Sequence, residues 1–270
     1  MKALPSHSEL DKYYKDNFQY QDGALNEKII RIQSKRILKQ LLNSFPTAKT
    51  ICDVGSGHGF FLDEAKKKNY EVFGIEPAKP LAKNSKQVFN LPIFAGTLTE
   101  YLKSQKKKYD IVTCTHVIEH VRNPKQFIDS LLRLVKPGGL LYLETPNSDS
   151  HLLYVEKDNY TFLIPPDHLW LLSHKSIGLI LPEKYYIEKT RTYSSSEHLM
   201  GIVKTMLGKK SSENISKTPS AHAQVNLGHT VESMRKSVSH LIFDTILAPL
   251  FTDLLNLNHK GSILQLYIKM

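Results

Sequence analysis

The sequence predicts an α/β protein built on one doubly wound, mostly parallel sheet with helices on both faces. Three observations predict it. Short β-rich runs alternate with helical patterns between residues 46 and 193. The first run ends in a glycine-rich turn, Gly55-Ser56-Gly57-His58-Gly59. A later run, residues 109–115, is rich in β-branched residues. Strands that alternate with helices are covered on both faces of a parallel sheet. The 270-residue chain is 41% hydrophobic and 23% charged, enough for one core with an appendage.

Residues 8–20 are polar and rich in tyrosine. From residue 26, Ile29, Ile30, Ile32, Ile37, Leu38, Leu41 and Leu42 recur at helical spacing as far as Phe45-Pro46. Residues 1–45 therefore read as an N-terminal helical arm. A core over 46–193 follows. It runs strand 50–54, helix 59–68, strand 71–75, helix 80–88, strand 92–95 and strand 109–115. Next come an amphipathic helix over 124–135, ended by Lys136-Pro137-Gly138-Gly139, and a strand at 140–143. Residues 148–172 read as a long loop with aromatics, 173–181 as a helix and 185–193 as a strand. Residues 194–258 read as a helical insertion, with a short helix near 199–207 and an apolar stripe over 241–255. That stripe predicts a helix covering the sheet or making a homodimer contact. Residues 259–270 complete the sheet with a last strand.

Composition narrows the function classes. The net charge is +10, but the lysines fall in short runs, Lys66 to Lys68 and Lys106 to Lys108. They are not interleaved with aromatics, as a base-stacking surface requires, so a nucleic-acid partner is not expected. Cys52 and Cys114 are the only cysteines, which excludes a disulfide framework or a cysteine-rich zinc domain. Both lie in apolar runs and read as buried free thiols. The N-terminus lacks the apolar stretch of a signal peptide, and no apolar run reaches the roughly 20 residues of a membrane helix. A soluble cytoplasmic protein is expected, with no transmembrane segment.

The turn Asp53-Val54-Gly55-Ser56-Gly57-His58-Gly59 sits between a predicted strand and a helix. Its glycines permit a tight turn and close approach of a ligand to the main chain. Glu76 ends the next strand, where a carboxylate can accept hydrogen bonds from both hydroxyls of a ribose. A dinucleotide loop has the spacing G-x-G-x-x-G, whereas here the third glycine comes one residue early and Phe60 takes its place. Asp53 would repel a diphosphate but could pair with an ammonium group. S-adenosylmethionine (SAM) has a ribose, an ammonium group and no phosphate, so the loop suits it better than NAD.

Four motifs stand in order: Ile51-Cys52-Asp53-Val54-Gly55-Ser56-Gly57-His58-Gly59; Val72-Phe73-Gly74-Ile75-Glu76-Pro77; Tyr109-Asp110-Ile111-Val112-Thr113-Cys114-Thr115-His116-Val117-Ile118-Glu119-His120-Val121; and Val135-Lys136-Pro137-Gly138-Gly139 through Glu144-Thr145-Pro146-Asn147. In these the chain resembles the class I SAM-dependent methyltransferases, in the group that includes the ubiquinone-biosynthesis O-methyltransferases. The resemblance implies a Rossmann-like seven-stranded sheet whose last strand is antiparallel, with SAM as cofactor and S-adenosylhomocysteine (SAH) as product. It implies that Asp53, Gly55, Ser56 and Gly57 line the methionine and ribose parts of SAM. Glu76 would hold the ribose hydroxyls and Pro77 would flank the adenine. Thr97 and Leu98 would lie near the adenine, although an aspartate is common at the position of Thr97. Thr115 and His116 would end the fourth strand beside the cofactor. Arg36 lies near where some relatives place a carboxylate-binding arginine.

His116, Glu119 and His120 have i, i+3, i+4 spacing and would share one face of a helix. In some relatives an E-x-x-E-H segment here binds a divalent metal, and in this chain His168 could supply a fourth ligand from the following loop. His116 replaces the first glutamate, so the favoured expectation is no metal, with Glu119 and His120 bracing the turn. His120, and after it His168, are the expected catalytic general bases. Phe162, Trp170, Tyr185 and Tyr186 could line an acceptor pocket near the sheet's carboxyl edge, although for each singly a core role is the first expectation, and Tyr13, Tyr14, Phe18 and Tyr20 form either a lid over the cofactor or a loosely packed N-terminal arm. The expected activity is methyl transfer to a small-molecule acceptor, O-methylation preferred. RNA methylation and non-catalytic binding of SAM or a nucleoside are the alternatives.

Overall fold

The computed structural model describes residue 9 and residues 24–104, 107–165, 167–194 and 257–269. The tyrosine-rich segment, the helix expected at 199–207 and the stripe over 241–255 lie outside the described residues. In chain order the elements are α1 (Ala24–Ser44), β1 (Thr50–Val54), α2 (Phe60–Lys66), β2 (Glu71–Glu76), α3 (Lys79–Phe89), β3 (Ile93–Ala95), α4 (Leu98–Ser104) and β4 (Tyr109–Thr115). They continue with α5 (Pro124–Leu132), β5 (Val135–Pro146), α6 (His151–Glu156), α7 (His174–Ile180), β6 (Tyr186–Tyr193) and β7 (Ile263–Lys269).

The seven strands lie in the order β3-β2-β1-β4-β5-β7-β6. Strands β1 to β5 pair in parallel, while β7 runs antiparallel to both β5 and β6. The chain walks outward from β1 to β3, then returns to lay β4 on the other side of β1. Connections leave β1 and β4 in opposite directions, and the crevice between them at the carboxyl edge is where such sheets bind ligands.

All five residues of β1 are buried, as a strand covered on both faces requires. Ile51 joins Leu38, Leu41, Leu62, Ile111 and Leu140 in the apolar layer beneath α1 and α2. Its neighbour Cys52 points to the other face, with Val112, Leu98, Ile128, Leu131 and Ile177. Cys52 and Cys114 are both buried and unbridged. Among the described residues no helix is long and apolar enough to cross a membrane.

Three local readings change. The helix expected over 124–135 stops at Leu132, and Val135 already pairs with Tyr109. Residues 136–139 are a bulge inside β5, between the pairs Tyr109–Val135 and Ile111–Leu140. Gly139 makes room there, since a Cβ on it would lie 2.8 Å from the Asp110 carbonyl oxygen. Second, α4 was not expected. Its start is a reciprocal cap, in which Thr97 N donates to Glu100 Oε2 (2.7 Å) and Glu100 N donates to Thr97 Oγ1 (3.2 Å). Third, the aromatic loop contains α6, capped by Ser150 Oγ accepting from Leu153 N.

Candidate functional site

The glycine turn is clipped to the end of β2. Gly55 N and Ser56 N both donate to the Ile75 carbonyl, at 2.8 and 3.3 Å. Gly55 and Gly57 both have positive φ, 80° and 52°, where a side chain is strained. Their surroundings differ. A Cβ on Gly55 would strike Val117, just beyond β4, whereas one on Gly57 would meet nothing within 4 Å. Gly57 therefore faces open space at the carboxyl edge.

Two buried carboxylates flank this turn. Glu76 accepts from Gly57 N at 2.7 Å through one oxygen and from Ala78 N at 2.8 Å through the other. Burial raises its pKa, and these two bonds oppose the rise. Each oxygen keeps further accepting capacity. Asp53 accepts from Thr113 Oγ1 at 2.6 Å. Burial pushes its pKa up to about 7, the Thr113 bond opposes this, and the charge of Glu76 adds to it. Pro77, next to Glu76, is exposed. Ser56 turns its buried hydroxyl toward Gly74 and finds no hydrogen-bond partner there, so a ligand contact from Ser56 would run through its main chain.

Beyond β4 the chain makes one 3₁₀ turn, Ile118–His120. His116 precedes that turn with φ 53°, so His116, Glu119 and His120 do not share a helix face. They point to two different clusters. His116 lies between two buried carboxylates, with Nδ1 3.3 Å from Glu119 and Nε2 3.4 Å from Glu144. Burial would lower its pKa, yet the two carboxylates push it up to about 10, so it is an imidazolium. Glu144 also accepts from Tyr142 (2.5 Å), Gln265 (2.8 Å) and Tyr193 (2.9 Å). Burial opposes its ionisation, but His116, Tyr142 and Gln265 hold it at about 2.

His120 turns the other way. Its Nδ1 lies 2.9 Å from the Asp167 carbonyl, and its ring meets that of His168 edge-on at 4.8 Å. His168 Nδ1 lies 2.8 Å from the Phe162 carbonyl. A carbonyl accepts only, so each Nδ1 carries a proton, and on a neutral His168 ring the lone pair is on Nε2. Burial lowers the pKa of His168 and the neighbouring His120 adds to that. For His120 burial also lowers, but Asp167 and Glu119 raise it above the ordinary value. Glu119, His120 and His168 each offer one ligand atom within 4.8 Å of the others.

The structure thus brings His120 and His168 together, and gathers Asp53, Gly55, Gly57 and Glu76 at the β1 and β2 ends of the carboxyl edge. Thr115 ends β4 opposite Glu144. Thr97 spends its hydroxyl on Glu100, and Leu98 is buried in the core. Phe162 lies parallel to the His168 ring at 6.3 Å, and Trp170 Nε1 donates to the Val121 carbonyl. Tyr185 and Tyr186 do not line this edge: they stand at the start of β6, which runs parallel to β5, and so lie at the amino edge. Arg36 packs over the Tyr193 ring at 4.1 Å. Sequence reasoning missed Thr113, Glu144, Asp167, Tyr193 and Gln265 as site residues. Glu144 lies inside a recognised motif, but two of its partners, Tyr193 and Gln265, come from β6 and β7.

The methyltransferase domain family matches residues 25–185, more than half of the chain. A ubiquinone biosynthesis O-methyltransferase of Acinetobacter baylyi is 30% identical over 126 residues, covering 44% of this chain and 53% of that protein. Its counterpart in Klebsiella pneumoniae is 26% identical over 161 residues, covering 57% and 65%. The matches therefore span about half to two thirds of the length of these curated relatives. A SAM-dependent methyltransferase structure from Archaeoglobus fulgidus shares the fold, with a TM-score of 0.56 at 19% identity over 90% of this chain and 94% of that one. The family match and a seven-stranded sheet closed by an antiparallel strand lead to one conclusion: the chain belongs to the methyltransferase domain family, as a class I SAM-dependent member.

Proposed function

We propose that the protein transfers a methyl group from SAM to a hydroxyl of a small-molecule acceptor. One observation carries the cofactor reading: Gly57 faces open space while its amide is held by the buried Glu76, in a turn that begins at the buried Asp53. That pair disfavours a diphosphate and suits a ligand with an ammonium group and a ribose diol. Asp53 would pair with the ammonium group, the remaining lone pairs of Glu76 would accept from the ribose, and Pro77 would flank the base. SAM supplies an electrophilic methyl group on a sulfonium.

The acceptor's proton needs a base. His168 is neutral and presents Nε2, which suits it better than His120, whose carboxylate neighbours favour its charged form. The O-methyltransferase relatives support a hydroxyl acceptor. A second reading rests on the same rings. Imidazoles whose Nδ1–H groups are held by carbonyls are oriented as metal ligands are. With Glu119 they could hold a divalent ion of the zinc type, which would bind and acidify the acceptor hydroxyl. Against this, His116 and Thr145 already engage both oxygens of Glu119.

Calorimetric titration with SAM and SAH, with NAD as control, tests the first reading. Micromolar binding of both that is lost in Asp53→Ala and Glu76→Ala is expected. A folded wild-type protein that binds neither would sink it. Zn²⁺ titration separates the acceptor-side readings, since tight binding lost in His168→Ala selects the metal.

A further inference from the structure

We infer that Arg31, on α1 and outside the ligand turn, is a positioning residue that sets cofactor affinity by fixing the first turn of α2. The inference rests on the cofactor reading above. Helix α2 has only seven residues, and its N-cap, Gly59, offers no side chain to the first amides. So short a helix is not stable by itself, and its orientation is set by what it packs against. It also carries Asp63 and Glu64, both buried, and buried carboxylates need partners.

Arg31 supplies them. Its Nη1 donates to Asp63 Oδ2 at 2.6 Å and to Glu64 Oε1 at 2.7 Å, while Nε donates to Glu27 Oε1 at 2.7 Å. The guanidinium also lies over the rings of Phe60 and Phe89, at 4.9 and 5.2 Å from their centres. One group thus ties α1 to the first turn of α2 and the last residue of α3. Lys67 and Lys35 approach the same carboxylates, but their side chains are 57% and 61% exposed against 17% for Arg31. Exposed pairs contribute little, so Arg31 dominates.

From Arg31 two short routes reach the ligand turn. Phe60, under the guanidinium, stacks on His58 at 5.5 Å, and His58 adjoins Gly57. Asp63 N donates to the Gly59 carbonyl and Gly59 N to that of Ser56. A shift of the first turn of α2 would therefore displace Gly57, whose amide is held by Glu76. Nothing in the motif pattern marks Arg31, because its partners on α2 lie 32 and 33 residues away.

The test is SAH binding by calorimetry, well below the unfolding temperature, on Arg31→Met, Arg31→Lys and Phe60→Leu, with Lys35→Met as control. Circular dichroism and thermal unfolding of each variant are read in parallel. Arg31→Met should weaken SAH by about tenfold while remaining folded. Arg31→Lys should fall between, since lysine keeps the charge but loses the fork. Lys35→Met should bind as wild type. Phe60→Leu keeps every charge and should also weaken binding, which covers an Arg31→Met that fails to fold. Folded Arg31→Met or Phe60→Leu protein with wild-type affinity would overturn the inference, even with a lowered unfolding temperature. A wild-type protein that binds no SAH would instead remove the cofactor reading, and this inference with it.

Discussion

Along the carboxyl edge of the sheet, the β1/β2 end is made largely of main chain, and the β4/β5 end largely of side chains. Gly55, Ser56, Gly57 and Ala78 amides do the work at the first, within the stretch from Asp53 to Pro77 and its next residue. At the second, Glu144 gathers donors from 2, 49 and 121 positions away, and His120 leans on a carbonyl 47 positions away. The two ends meet where Gly55 packs on Val117. A ligand common to a whole family can be held by main chain, which varies little. A ligand particular to one protein needs side chains, and those are assembled by tertiary pairing.

The comparison can be broken most directly at Glu144. Glu144→Gln removes a buried charge and leaves His116 one carboxylate short, which should destabilise the protein by about 3–5 kcal/mol. Chemical denaturation reads this, and a loss under about 1 kcal/mol would mean that the β4/β5 end does not depend on its long-range partners. The next effect separates the two glycines. Gly55→Ala combines left-handed strain with a collision at Val117 and should cost about 2–3 kcal/mol of stability. Gly57→Ala meets no neighbour, so it should cost about 1 kcal/mol and act mainly on SAH affinity. Equal unfolding midpoints for the two would erase the distinction.

Asp53 sharpens the comparison through pH. Its folded pKa of about 7 lies above the unfolded value of about 3.9. The folded state therefore holds the proton more tightly, and this group's contribution to stability falls as pH rises across that window. An ammonium ligand needs the ionised form. SAM affinity should accordingly rise about fivefold from pH 6 to pH 7, as the ionised fraction grows from about one tenth to one half while the ligand's α-amino group stays mostly protonated. Asp53→Asn should flatten the profile, and a flat wild-type profile would contradict the pairing. The smallest effect is expected for Thr113→Val. Loss of the 2.6 Å hydrogen bond should move the same profile upward by about one pH unit or less.

The sheet and the glycine turn were legible because their signals are local. Strands β1, β2 and β4 show as runs, and the turn, Asp53 and Glu76 lie at fixed offsets from them. The start of α4 was legible too, in Thr97-Leu98-Thr99-Glu100, but went unused. The Pro137-Gly138-Gly139 run misled because the same residues suit a helix end and a bulge, and only the register with β4 distinguishes them. The i, i+3 spacing puts Glu119 near His116 in the sequence, whereas the second carboxylate on His116, Glu144, follows only from the pairing of Thr115 with Glu144 across β4 and β5. Tyr185 and Tyr186 lie at the amino edge, away from an acceptor pocket at the carboxyl edge, and strand direction is not written in composition.

The left-handed backbone at His116 has a consequence for how this protein can change over generations. A residue there must first tolerate positive φ, which asparagine, aspartate, glycine and histidine do and β-branched residues do not. Any change at the position where β4 ends is therefore drawn from a short menu. Descendants of this chain would be expected to change at the neighbours of His116 sooner than at His116 itself.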